Sequence, residues 1–409
     1  MDVGNIAELN TFLVLDAVRS HGRTTRSQLA RDLGLSDASV SRIVKRLIAS
    51  GSVAELPGES AARGRTPSIL EFVGAAGAVI AVDLGGTKCH GALADLAGGT
   101  VAEDFRLAGA GQNAAGVLLG CIAALKARAA ELARPVRAVV VGIPALIDPA
   151  TGLATAGPNV HWQGFDLLGI LRENLAEPFE VDNDVNLGAL GQAWRGAGRG
   201  VSSFVLMSLG TGIGGAIVMD GHLIRGRHNA AGEMAYFPIG RDGAASAGTP
   251  SGFEDVASGP ALRARAAGLI AAGLPTSLPP ESFAVADIFR AAAGGDGVGV
   301  RVVRELVSDV AAAIGGTTSL IDPDRIILDG SIGRALRPWL GELCDLVIGQ
   351  VFRAPEIVIS DLGPNATVIG AIARALAMVS EQDLPAHLSR SVSRSAIQSR
   401  AASLASEQH

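Results

Sequence analysis

Cysteine is scarce: Cys89, Cys121 and Cys344 are the three in 409 residues, and they lie far apart. That excludes a disulfide framework and any CxxC metal cluster, and it fits a reducing cytoplasm. Aromatic residues make up only 4% of the chain and charged residues 18%, against 48% hydrophobic residues and 53 glycines. Wholesale disorder is therefore excluded, and the core must be built from Ala, Val, Leu and Ile between many tight turns. There is no overall excess of base: the net charge is −6, so the whole chain is not a basic nucleic-acid coat. A basic n-region is also missing, since Met1 to Asn10 carries Asp2 and Glu8, and this argues against a signal peptide. The uncharged stretch from Ser202 to Met219 is long enough for a membrane span. It holds Gly210, Gly212, Gly214 and Gly215 with Ser and Thr, so it predicts strand, turn and strand. A soluble cytoplasmic protein with no membrane partner is expected.

Charge is unevenly spread. From Arg19 to Arg65 there are nine Lys/Arg against four Asp/Glu. A basic module on an acidic body suggests that one end meets a polyanion. That end predicts three helices and a hairpin. Phe12, Leu13, Leu15, Ala17 and Val18 give the first helix an apolar face. Thr25 is placed to cap a short helix carrying Leu29, Ala30 and Leu33, and Gly34-Leu35 makes a turn. Ser36 is placed to cap a third helix with Val40, Ile43, Val44, Leu47 and Ile48 at helical spacing. Val53–Leu56 and Ser68–Phe72 predict two strands joined by a loop with Arg63, Gly64 and Arg65.

Such a pattern is a winged helix-turn-helix. Its second capped helix would enter a major groove with Ser36, Asp37, Ser39, Ser41 and Arg42 near base edges. Lys45 and Arg46 would reach phosphates, and Arg63 and Arg65 at the wing tip would meet a minor groove or the backbone. A small helical protein-interaction domain with solvated charges has the same pattern; the local excess of base and the basic wing tip favour DNA.

The remainder, to about residue 380, alternates apolar strands with Ala-rich helices, which predicts an α/β body with sites at strand ends. Strands are expected at Ala78–Asp83, Ala138–Gly142, Phe204–Leu209, Ala216–Met219 and Arg325–Leu328, and helices at Ala114–Leu132 and Val302–Leu320. Three glycine corners follow strands: Asp83-Leu84-Gly85-Gly86-Thr87-Lys88, then Leu209-Gly210-Thr211-Gly212-Ile213-Gly214-Gly215, then Asp329-Gly330-Ser331. Glycines let the backbone approach phosphates, and Thr87 and Lys88 add donors, so the three corners suit a nucleotide. Asp83 is positioned to hold a magnesium-bound water. Beyond Glu381 the chain is rich in Ser, Arg and Gln and predicts disorder.

Together these residues resemble the ROK family of repressors, open reading frames and sugar kinases, over roughly Met1 to Val379. Gly64-Arg65-Thr66-Pro67, Gly142-Ile143-Pro144 and Leu362-Gly363 with Gly370-Ala371 add to the likeness. The resemblance implies a two-lobed actin/hexokinase-like, ribonuclease H-like body behind the winged head. The implied division is 1–72 for the head, 73–183 and 184–365 for the lobes, 366–380 for a helix returning to the first lobe, and 381–409 for the tail. It implies sugar contacts at Asn159, Asn183, Asp184, Glu233 and Glu254, with Asp184 in the catalytic-base position. Carboxylates and amides are apt acceptors for sugar hydroxyls, and a carboxylate beside an attacked hydroxyl can take its proton. The nucleotide positions are Asp83, Gly85, Gly86, Thr87, Lys88, Gly210, Thr211, Gly212, Gly214 and Gly330.

The family's zinc ligands are a His and three Cys, and the matching positions here are Tyr236, Ala245, Ala247 and Gly252. These residues do not replace N and S ligands, so zinc is expected to be absent. The expected function is a sugar-responsive transcriptional repressor of carbohydrate genes, a homodimer or homotetramer on operator DNA, with no cofactor required. The alternatives are an ATP-dependent sugar kinase using Mg-ATP, and a body that is only a dimerisation scaffold.

Overall fold

The computed structural model describes residues 3–58, 68–108, 113–148, 151–156, 166–239, 252–279 and 282–383. The head begins with α1 (Val3–His21), β1 (Arg23–Thr24) and α2 (Arg26–Leu33), followed by α3 (Asp37–Ala49), β2 (Val53–Leu56) and β3 (Ile69–Phe72). The caps are those the sequence predicts. Thr25 Oγ1 accepts from the Gln28 N–H at 3.2 Å, and Ser36 Oγ accepts from the Ser39 N–H at 3.2 Å. Gly34 ends α2 in the left-handed region at φ 63°, which suits a residue without Cβ. The strand β1 is too short to read from sequence, yet it completes an antiparallel sheet of order β1-β3-β2. Val14, Val18, Leu29, Val40, Val44 and Leu70 close the head's own core.

The first lobe follows: β4 (Ala78–Leu84), β5 (Lys88–Asp95), β6 (Thr100–Leu107), α4 (Ala114–Glu131), β7 (Val136–Ile143), the small hairpin β8 (Ala145–Ile147) and β9 (Ala154–Ala156), α5 (Leu167–Asn174) and β10 (Phe179–Asn183). The helix α6 (Asp184–Arg195) leads to the second lobe. That lobe contains β11 (Phe204–Leu209), β12 (Ile213–Met219), β13 (His222–Ile224), α7 (Glu254–Ala257), α8 (Gly259–Ala271), α9 (Val285–Ala293) and α10 (Gly297–Ile321). It ends with β14 (Arg325–Asp329), α11 (Gly330–Ala335), α12 (Leu340–Ile348), β15 (Glu356–Ile359) and α13 (Ala366–Asp383). The helix α13 thus continues through Glu381, Gln382 and Asp383, a little past the point where the composition turns polar.

The two lobes carry sheets of one plan, β10-β7-β4-β5-β6 and β13-β12-β11-β14-β15. In each, three antiparallel strands run from the centre to one edge and two parallel strands continue on the other side. The central strand β4 is buried at every position, because helices cover both faces of its sheet, and its near-continuous apolar run reflects this. The helices that follow the two sheets are exchanged. From α6, Ala189 packs with Phe204, Leu206 and Ala216 of the second sheet. From α13, Val368, Ala371 and Ile372 pack on Val79, Ala81 and Val140 of the first. The chain therefore has a winged head and a two-lobed α/β body whose lobes are tied by two crossed helices.

Candidate functional site

The head presents the start of α3 outward. Asp37, Arg42, Lys45 and Arg46 are exposed, Ser41 is half-buried, and Val40, Ile43, Val44 and Leu47 point to the core. The hydroxyls of Ser36 and Ser39 bond each other at 2.9 Å, so both are engaged in the cap. Arg46 donates to Thr11 Oγ1 of α1 at 3.0 Å, which holds its guanidinium back against the first helix. The base of the wing is pinned to α2, since Arg26 grips both oxygens of Glu55 at 2.6 and 2.8 Å and also donates to Ser68 at 2.9 Å. That grip pulls the Glu55 carboxyl down to about 2. Arg63 and Arg65 lie outside the described residues.

The cleft between the lobes is built around Asp184 at the N-terminus of α6. Asn183 Oδ1 caps this helix by accepting from Val185 N–H at 2.9 Å and Asn186 N–H at 3.2 Å. The Asn183 amide oxygen is therefore spent on the helix, which leaves its Nδ2 group as the donor side. Asp184 Oδ1 takes a further bond from the Val185 N–H at 2.9 Å. Burial, the Asp83 carboxylate and the Glu233 carboxylate raise the Asp184 pKa to about 7, against the pull of the Val185 N–H. Its ordinary value is 3.8, so near neutrality Asp184 is poised to take a proton or to accept a bond from a hydroxyl.

Asp83 is buried at the end of β4, where burial raises its pKa and Lys88 and His90 oppose the rise. His90 faces it across the β4–β5 pair. The His90 ring is itself buried, stacked on Phe105 at 4.0 Å and bonded to Glu103 at 3.0 Å. The turn after Asp83 is open: Gly86, Thr87 and Lys88 are exposed, and Gly85 N–H bonds Lys88 carbonyl at 2.9 Å.

Glu233 and Glu254 come from the second lobe. Glu233 rises by burial and by the nearby Glu254 carboxylate. The loop carrying it touches β12 backbone to backbone: Gly232 adopts φ 90°, and a Cβ there would lie 2.5 Å from the Gly215 carbonyl oxygen. Glu254 Oε2 accepts from the Ile213 N–H at 2.8 Å, so this carboxylate braces the turn of Gly210, Thr211 and Gly212. The turn is shorter than the sequence suggests. Gly214 and Gly215 belong to β12, and Gly214 backs onto Val185 beside Asp184 rather than standing in the turn. At the third corner, Gly330 has φ 78°, and Asp329 spends its carboxylate on the Gly330 N–H at 2.7 Å and on Arg334 at 2.8 Å. The structure thus brings Asp83, Asp184, Glu233 and Glu254 to one cleft with the glycine turns at its edge. Asn159 lies outside the described residues.

Two charged residues that matter here gave no signal in the sequence. Asp182, nearly fully buried, accepts from Asn183 N–H at 2.8 Å and Asn186 Nδ2 at 3.2 Å. Arg225, from the second lobe, crosses to it at 2.7–2.8 Å. Asn229 Nδ2 also donates to the Ile147 carbonyl of the first lobe at 2.9 Å. An arginine after a short strand has no motif, and its partner is distant in sequence.

The residues at the family's zinc positions do not fit a metal. Tyr236 is 61% exposed, and a Cβ at Gly252 would lie 2.2 Å from the Ala235 carbonyl oxygen. Instead, Pro238 and Gly252 form a backbone bridge, and Gly252 N–H donates to Asp255 at 2.9 Å. Ala245 and Ala247 lie outside the described residues. No helix among the described residues is long and apolar enough to cross a membrane.

Known proteins match both parts. Residues 8–64 match the MarR family, and residues 79–378 match the ROK family. The chain is 25% identical over 380 residues to the xylose repressor of Caldicellulosiruptor bescii, covering 90% of this chain and 95% of that one. Its fold matches that of a ROK family transcriptional regulator, a homologue of the E. coli MLC protein, with TM-score 0.78, 24% identity and 93% and 98% coverage. A ROK family glucokinase from Streptomyces griseus, solved with glucose and AMPPNP, matches at TM-score 0.61 and 29% identity, over 73% of this chain and 99% of that one. With its two-lobed cleft and its MarR-type winged head, the chain belongs to the ROK family.

Proposed function

We propose that the protein is a sugar-responsive DNA-binding transcriptional repressor of carbohydrate genes. One observation carries this: the likeness to the xylose repressor runs through head and body together, over 90% of the chain, whereas the glucokinase likeness covers 73%. The head supplies the DNA face, with Arg42 and Lys45 free to reach bases and phosphates. The cleft supplies the effector site, where Asp184, Glu233 and Asn183 meet sugar hydroxyls and Glu254 holds the turn behind them. A sugar shifts the DNA equilibrium only by its different affinity for the two states of the protein. Such a regulator acts in the cytoplasm, as a homodimer or homotetramer on a two-part operator.

Sugar kinase activity is the second reading, favoured by Asp83, by the retained turns and by Asp184 in the base position. The glycine corners are the segments where a nucleotide phosphate would be cradled, and bound Mg-ATP would supply the transferable phosphoryl group. Under the regulatory reading, Mg-ATP and zinc are not required.

A thermal-shift panel of monosaccharides with and without Mg-ATP separates the readings. Stabilisation by one sugar alone fits a sensor. A requirement for both ligands, with sugar-dependent ADP formation, would replace this reading by the kinase. No response to any sugar would leave the body a scaffold.

A further inference from the structure

The head does not hang freely from the body. Arg19, on the inner face of α1, reaches the last turn of α13, where it hydrogen-bonds Ser380 and lies 3.7 Å from Asp383. Asp383 is shared with Arg137 of the first lobe at 3.1 Å. The Arg19 guanidinium also sits 4.8 Å above the Phe72 ring. Phe72 packs against the cores of both the head and the first lobe. The joint is short: Val73 N–H bonds the Ser52 carbonyl at 3.0 Å and Leu96 N–H bonds the Gly74 carbonyl at 3.0 Å.

The other end of α13 sits at the cleft. Thr367 Oγ1 donates to the carbonyl of Asp184 at 3.2 Å. Between these ends, α13 meets α6 with no side chain interposed. A Cβ at Gly191 would lie 2.4 Å from the Ala366 carbonyl oxygen, and one at Gly370 only 1.6 Å from that of Leu187. Packed backbone has no slack, so a displacement at the start of α6 must be carried by α13. At 1.5 Å per residue, the helix spans about 20 Å from Thr367 to Ser380.

We propose that the docking of Arg19 on the end of α13 is the contact by which the cleft sets the position of the DNA head. The idea rests on the regulatory reading above. The contact is suited to switching because it is incompletely satisfied. Arg19 is largely buried, yet its Nε has no hydrogen-bond partner among the described residues. A buried cation with an unpaired donor is held only weakly against release into water. Nearby charges are Asp16 on α1, Asp383 and Arg137, with Asp16 and Asp383 favouring the docked cation and Arg137 opposing it. A small movement of the last turn of α13 would therefore change the balance between a docked and a released head.

The test uses the full chain and two variants, Arg19→Met and Asp383→Asn. The methionine keeps an apolar stem on Phe72 but removes the charge. The DNA probe is a duplex that the unmodified protein selects from a random library. The sugar probe is whichever of D-glucose, D-xylose and N-acetyl-D-glucosamine raises its melting temperature most. In the unmodified chain, saturating sugar is expected to change the DNA Kd by about 5–150-fold, the usual range of coupling between sites. In both variants that ratio should fall to near one, while DNA alone and sugar alone still bind. By reciprocity, DNA should then cease to alter the sugar Kd. Variants that keep the full ratio overturn the role of Arg19 and leave the regulatory reading standing. An unmodified chain whose DNA binding ignores all three sugars overturns that reading and this inference together. If Arg19→Met fails to fold, the more exposed Asp383→Asn decides.

Discussion

A Cβ added to Gly370 would lie 1.6 Å from the carbonyl oxygen of Leu187. This pair marks the point where α13 and α6 cross with their backbones in contact, and where the two exchanged helices hold the lobes together. Gly370→Ala should therefore force the helices apart. Overpacking of this kind costs about 1–3 kcal/mol, more where backbone cannot give way. A chemical-denaturation midpoint equal to that of the unmodified protein would contradict the crossing.

Asp184 titrates near neutrality, which makes a signed prediction. Its folded pKa of about 7 lies above the ordinary 3.8. The stability it contributes is fully present below 3.8 and is lost as pH rises through about 7. Asp184→Asn should accordingly raise the melting temperature at pH 8 and leave it nearly unchanged at pH 4. Sugar affinity should run the other way, strengthening between pH 6 and pH 8 as the carboxylate ionises, and Asp184→Asn should flatten that slope. Equal pH profiles for the two proteins would remove Asp184 from the sugar site.

Most of the architecture was legible because it rests on local signals. The caps at Thr25 and Ser36, the turn at Gly34 and the strands before the glycine corners all follow from neighbours in sequence. The repeat of one sheet plan in both lobes was not legible, since topology can recur while residues differ. Nor was the extent of the second turn: Gly214 and Gly215 look like turn residues, but they lie in β12 because the strand must pass close to Val185 and Gly232. In the cleft, Asp184, Glu233 and Glu254 could be named from motif likeness, whereas Asp182, Arg225 and Arg19 could not. Each of these depends on a partner distant in the chain, the opposite lobe for Asp182 and Arg225 and the end of α13 for Arg19, which no periodicity encodes.

The head makes separate predictions for specificity and for affinity. Arg42→Ala should lower discrimination between operator and random DNA by about 1–3 kcal/mol, the range for a residue that reads a base. Lys45→Ala should weaken binding to all sequences alike and reduce the salt slope by about one phosphate contact. Arg46→Ala should do less than Lys45→Ala, because Arg46 is held by Thr11. Fluorescence anisotropy at several salt concentrations distinguishes the three; equal losses for Arg42 and Lys45 on random DNA would contradict the assignment.

Glu233 and Glu254 should keep their places without a metal. The bridge between Pro238 and Gly252 and the buried Phe253 supply the brace. Treatment with a chelator should leave the melting temperature and the sugar response unchanged, unlike a domain whose folding depends on zinc. Elemental analysis giving about one zinc per chain would contradict this arrangement.

The proposed regulator binds DNA with its head and answers to a sugar in its cleft. This is tested most directly by titrating the full-length protein onto its selected DNA duplex across the sugar panel, beside Asp184→Asn. One sugar is expected to change the DNA Kd of the unmodified protein, and Asp184→Asn to bind the same DNA without that response. A DNA affinity indifferent to every sugar, or a response that survives in Asp184→Asn unaltered, would contradict it.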